Sequence, residues 1–94
     1  MKFEHAISIV RKNYPNRLIW TGFEYAGKYI CAIAADNQYV PGDAALEHIA
    51  IDQKTGEHGA FDFWKKVFDD RILQEAARKR VLVDVTEAQA NDPG

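Results

Sequence analysis

The groups in this chain that could do chemistry are few: three histidines (His5, His48 and His58), one cysteine (Cys31), one serine (Ser8) and scattered carboxylates. A zinc site needs three or four ligands, and a lone cysteine leaves histidines and carboxylates to supply them. His48 and His58 would approach each other if the strands that hold them pair, with Glu47 and Glu57 alongside. Glu47 and His48 are neighbours in an expected strand, however, so their side chains point to opposite faces. Half-buried or surface histidines, and no metal ligand set, are the expectation.

Nucleophilic chemistry is no better supplied. Ser8 falls inside an expected helix, and the chain has no nucleophile elbow, Walker loop, dinucleotide glycine signature or HExxH. Cys31 has no partner for an internal disulfide. It sits in the apolar run Tyr29-Ile30-Cys31-Ala32-Ile33-Ala34-Ala35, where cysteine behaves as a small core hydrophobe and no basic neighbour lowers its pKa. Asp69-Asp70 is expected on the wet side of a helix, and Asp36 and Asp43 read as turn formers bordering a loop. No catalytic residue and no cofactor is expected.

The aromatic residues say more. Trp20, Phe23, Tyr25, Tyr29 and Tyr39 gather on one hairpin and the loop after it. Phe23 and at least one other should pack in the core. The rest are candidates for a recognition surface, since Trp and Tyr are favoured at interface hot spots. Trp20, Tyr25, Tyr29 and Tyr39 are therefore the candidate partner-binding residues.

The elements that must position them follow from periodicity. Phe3, Ala6, Ile7, Val10 and Tyr14 recur at helical spacing, which predicts a helix over 2–12 that Tyr14-Pro15 stops. Segments 17–25 and 28–35 are rich in β-branched and aromatic residues around Ala26-Gly27, which predicts an antiparallel hairpin. On strict alternation, Ile19, Thr21, Phe23 and Tyr25 share one face, and Leu18, Trp20, Gly22 and Glu24 the other. Both faces are largely apolar, whereas a sheet with one wet face alternates apolar with polar. Two helices are too little to cover both faces, so the ribbon calls for a partner chain.

After a polar connection at 36–44, a third strand is expected over 45–51, an Asp-x-x-Thr-Gly-Glu turn at 52–57, and a short fourth strand near 57–61. A second helix is predicted over 62–80, with Trp64, Val67, Phe68, Ile72 or Leu73, Ala76 and Ala77 as its apolar stripe and Asp62 as N-cap. Residues 81–85 read as a final strand, with a helix extension as the alternative, and 86–94 as a disordered tail. The fold class is α+β, an antiparallel sheet of three to five strands with an N-terminal and a C-terminal helix, in a single domain over 1–85.

Composition limits the partners. With 94 residues, 47% hydrophobic and 28% charged, the chain has the make-up of one globular domain rather than a disordered segment. Twelve basic against fourteen acidic residues give a net charge of −2, which argues against general nucleic-acid binding, because counterion release needs clustered cations. No run of about 18 apolar residues and no signal-like h-region occurs, so no membrane association and a cytoplasmic location are expected.

Ala6-Ile7-Ser8-Ile9-Val10 leading into Tyr14-Pro15, followed by Ile51-Asp52-x-x-Thr55-Gly56-Glu57, resembles PepSY-like domains and the related small bacterial immunity domains of the Imm35 type. The likeness spans about residues 3–60; the long loop and the segment 62–80 depart from the minimal PepSY pattern. It implies a non-catalytic binding module of bacterial or phage origin, an immunity or inhibitor protein that occludes a toxin or peptidase. It transfers no active-site residue.

Three functions are thus in play. The first is a protein-binding module. The second is a small-ligand binder or minor enzyme whose pocket, between the sheet and the 36–45 loop, is lined by Trp20, Tyr39, Asp43 and His48. The third is a structural homodimer that pairs the sheet face of two copies.

Overall fold

The computed structural model describes residues 1–41 and 46–91. Helix α1 (Phe3–Asn13) forms where the apolar spacing placed it, and turns Ala6 and Val10 into the core. Pro15 prevents its continuation, and Asn16 reverses the chain at φ 61°.

Strand β1 (Ile19–Tyr25) and strand β2 (Lys28–Ile33) pair antiparallel as a hairpin. Strand β3 (Glu47–Asp52) pairs with β2, and the short strand β4 (His58–Ala60) with β3. After helices α2 (Phe63–Lys66) and α3 (Arg71–Arg78), strand β5 (Val81–Leu82) returns to pair with β1. The result is an α+β fold around a five-stranded antiparallel sheet of order β4-β3-β2-β1-β5. A final turn of helix, α4, covers Glu87–Ala90.

Strict alternation fails at one residue, with consequences for the whole hairpin. Ile19 pairs with Ile33 but Thr21 with Ala32, so Trp20 is an extra residue in a β-bulge. A bulge lets two consecutive side chains fall on one face. Ile19 therefore joins Tyr29, Cys31, Ile33, Ile49 and Ile51 beneath α1. Trp20 moves to the opposite face with Ala32 and Ala34, where Phe23 and Ile30 also pack. The expected grouping of Trp20 with Gly22 and Glu24, and of Ile19 with Thr21 and Phe23, is corrected by this inserted residue.

The predicted single helix over 62–80 is also corrected. Asp70 adopts an extended conformation (φ −118°, ψ 99°) and its carboxylate accepts the N–H of Leu73 at 2.9 Å, capping a new helix. An aspartate is far better as an N-cap than within a helix, and here the Tyr25 hydroxyl also donates to it. The Gln74 amide braces the corner by donating to the Val67 carbonyl at 2.6 Å. Asp70 is thus a half-buried helix cap bonded to Tyr25, while Asp69 is exposed.

The segment 86–91, expected to be disordered, forms α4 through a capping box. Thr86 accepts the Gln89 N–H at 3.2 Å while the Gln89 side chain accepts the Thr86 N–H at 2.9 Å. Ala90 then packs against the Trp20 cluster. The second sheet face is in this way covered by three short helices rather than one long one.

Candidate functional site

The aromatic hairpin was the expected recognition surface, and the structure closes it from within. Trp20 and Tyr29 are each only 6% exposed, and residues 29–34 are all buried. Each candidate tyrosine hydroxyl is bound inside the subunit. Tyr25 donates to Asp70 at the start of α3, Tyr29 to the Met1 carbonyl at 2.8 Å, and Tyr39 to the Gln89 carbonyl at 3.1 Å. Hydrogen bonding to the Asp70 carboxylate, followed by burial, holds the Tyr25 phenol above its ordinary pKa. The idea that two helices leave the ribbon half wet is therefore corrected: α1 seals one face, and α2, α3 and α4 tile the other.

The four candidates separate by location. Trp20 and Tyr39 stack at 5.5 Å with planes 28° apart. Tyr29 lies on the opposite face, with its ring against Phe3 at 5.5 Å. Tyr25 sits at the hairpin tip, edge-on to Phe61. They form three separate packing sites rather than one surface.

Of the residues expected to line a ligand pocket, the structure brings Trp20 and His48 to one cavity of about 240 Å³. Tyr39, expected in the lining, stacks on Trp20 but is not among the residues that line the cavity, and Asp43 lies outside the described residues. His48 is 9% exposed, with its ring stacked on Phe63 at 4.4 Å and in a T-shaped contact with Trp64 at 5.7 Å. Burial pushes its pKa down to about 4, so the ring is neutral at physiological pH.

His58 lies on the other face of the sheet, hydrogen-bonded through Nδ1 to the Tyr14 hydroxyl at 3.0 Å. Although β3 and β4 pair as expected, the register sets His58 opposite Ile51 and His48 opposite Ala32, on opposite faces of the sheet. Among the described residues no group of three or more His, Cys, Asp or Glu side chains could hold a metal ion. Cys31 is fully buried, and burial raises its thiol to about 12. Ser8 spends its hydroxyl on the Glu4 carbonyl one turn back in α1.

The surface that the sequence did not reveal is the corner between α2 and α3. Phe68 is 79% exposed, Ile72 75% and Trp64 54%. Read as one helix, these residues belonged to an inward stripe. The break at Asp70 instead turns Val67, Leu73, Ala76 and Ala77 onto the sheet and leaves Trp64, Phe68 and Ile72 outside. The available signal was the aspartate pair in mid-stripe, which marks a cap as readily as a wet face.

The turn after β3 is built by local hydrogen bonds. The Asp52 carboxylate accepts the N–H groups of Lys54 and Thr55 at 2.8 and 2.9 Å, and Gly56 takes a φ of 77° that permits the turn. Tyr14 packs over the strand that follows, edge-on to His58. Comparison with family models, with curated proteins and with solved structures found no match.

Proposed function

We propose that this protein is a non-catalytic protein-binding module whose recognition surface is the α2–α3 corner. The exposure of Phe68 and Ile72 carries the reading, because large apolar side chains left three-quarters in water gain most when a partner covers them. Burying one such side chain is worth roughly 1.5–3 kcal/mol, the scale of an interface hot spot. The corner is also pre-organised. Asp70, Gln74 and Tyr25 fix its backbone from behind, which reduces the ordering cost of binding.

Lys65, Lys66, Asp69 and Arg71, all exposed, surround the apolar residues with mixed charge, as a polar rim does. The single serine, Ser8, gives its hydroxyl to a backbone carbonyl, and the single cysteine, Cys31, is buried, which supports a role without catalysis. The resemblance to small immunity domains supplies the kind of partner. It would be a toxin or peptidase of the bacterial or phage-infected cytoplasm, with the corner occluding its working surface.

The test uses the intact protein and a Phe68→Ser, Ile72→Ser double variant as paired baits in native lysate. Both side chains are exposed, so the variant should fold. A partner retained by the wild type and lost by the variant supports the proposal. A partner retained equally by both overturns it. Sedimentation that depends on concentration for the wild type alone would instead identify a second copy as the occupant.

A further inference from the structure

The helix-covered face opposite α1 is not filled evenly. The cavity of about 240 Å³ has aromatic walls from Trp20, Phe23, Phe63 and Trp64, with His48 and Arg80 as its polar lining groups of greatest consequence. His48 lies nine-tenths buried, with Phe63 stacked on its ring and Trp64 in a T-shaped contact with it. Among the described residues no hydrogen bond reaches its ring nitrogens. A neutral imidazole presents one donor and one acceptor, and buried polar groups in folded proteins almost always find partners. Trp20, on the same wall, has a fully buried indole N–H without a partner among the described residues.

Charge narrows the occupant. Among the described residues that line the cavity, Arg80 is the one with a formal charge, and no described carboxylate pairs with it. An anionic group would therefore be drawn to the Arg80 end. Size narrows it further, because drug-sized ligand pockets run from roughly 300 to 1,000 Å³ and this cavity lies just below that range. Aromatic walls favour a flat ring through stacked and edge contacts.

We infer that the cavity is a binding site for a single-ring aromatic carboxylate, with its ring between the aromatic walls, its carboxylate toward Arg80, and a hydrogen bond to the His48 ring. This site shares Trp64 with the α2–α3 corner but does not include Phe68 or Ile72 and does not depend on the protein-binding proposal.

The test is titration of the intact protein with sodium phenylacetate at constant ionic strength, followed by thermal unfolding and by the NMR signals of the two indole N–H groups. Phenylacetamide, the neutral isostere, and acetate, which lacks the ring, are the comparison probes. Phenylacetate should raise the melting temperature saturably and shift the Trp20 and Trp64 signals, while each comparison probe binds at least about tenfold more weakly, a difference of ~1.4 kcal/mol. Arg80→Gln, at an exposed position, should lose about tenfold in affinity for phenylacetate while its affinity for phenylacetamide stays the same. The Phe68→Ser, Ile72→Ser variant should bind phenylacetate as the wild type does, which keeps this site's failure distinguishable from that of the corner. No saturable response to phenylacetate, an equal response to acid and amide, or an unchanged affinity in Arg80→Gln overturns the inference.

Discussion

The guanidinium of Arg11 meets the carboxylate of Asp84 through two hydrogen bonds, at 2.8 and 3.1 Å. The pair joins the last turn of α1 to the segment after β5. Asp84 also accepts the N–H of Ile19 at 2.8 Å, beside the bulge at Trp20. One side chain thus ties the helix, the edge of the sheet and the irregular residue that sends Trp20 to its face.

Asp84→Ala should destabilise the protein by about 1–2 kcal/mol, the value of lost charge-assisted hydrogen bonds discounted for a half-exposed Arg11. Burial alone would raise the Asp84 carboxyl, but hydrogen bonds from Arg11 and Ile19 and the nearby positive charge outweigh it and hold the pKa below the ordinary carboxylate range. The contribution is therefore complete above the unfolded pKa of about 3.9 and is lost as pH falls through the lower folded value. Urea unfolding should show the wild type and the variant separated at pH 7 and converging under strong acid.

Much of the fold was legible in the sequence, and its failures have identifiable causes. Helix α1, the hairpin and the strands β3 and β4 follow from apolar spacing and from turn residues such as Gly27 and Gly56, whose φ values are 76° and 77°. The face assignment of β1 failed because a bulge at Trp20 has no marker in a run of good strand formers. The long helix failed because Asp70 competes for the backbone as a cap, and its selection depends on Tyr25, 45 residues away in the chain. The site was half legible. Trp20 and His48 do share a cavity, but the exposure of Phe68 and Ile72 became visible only once the helix break was known.

His48 sets a second pH dependence, of the opposite chemical kind. Its folded pKa of about 4 lies below the ordinary 6.5, so the unfolded chain takes up a proton that the folded one refuses. The resulting loss of stability should begin as pH falls below about 6.5 and end near 4, at no more than about 3 kcal/mol. His48→Phe should flatten the stability curve in that window, and the His48 ring resonances in the wild type should remain those of neutral imidazole until pH nears 4.

Ala26 occupies the hairpin turn at φ 51°, ahead of Gly27 at φ 76°. Two successive left-handed residues define a turn that favours Asn-Gly, and alanine is strained there. Ala26→Asn should stabilise the protein by about 0.5–1 kcal/mol, read as a higher urea midpoint with an unchanged slope.

Cys31 reports on the closure of the sheet. It is fully buried beneath α1, with its thiol raised to about 12. A thiol reagent should label the native protein more slowly than the urea-unfolded chain by a factor of about 10³ or more, since the thiolate is scarce and access requires opening of the core.

The account depends most on the hairpin aromatics being enclosed by the subunit itself while the α2–α3 corner stays in water. The two tryptophans separate these regions: Trp20 is 6% exposed and Trp64 is 54% exposed. Acrylamide quenching of the dilute, monomeric protein, wild type against Trp64→Phe, measures both. The variant, left with Trp20 alone, should emit at shorter wavelength and resist quenching, and the component lost from the wild type should be red-shifted and readily quenched. Strong quenching of Trp20 in the folded Trp64→Phe protein would contradict the account.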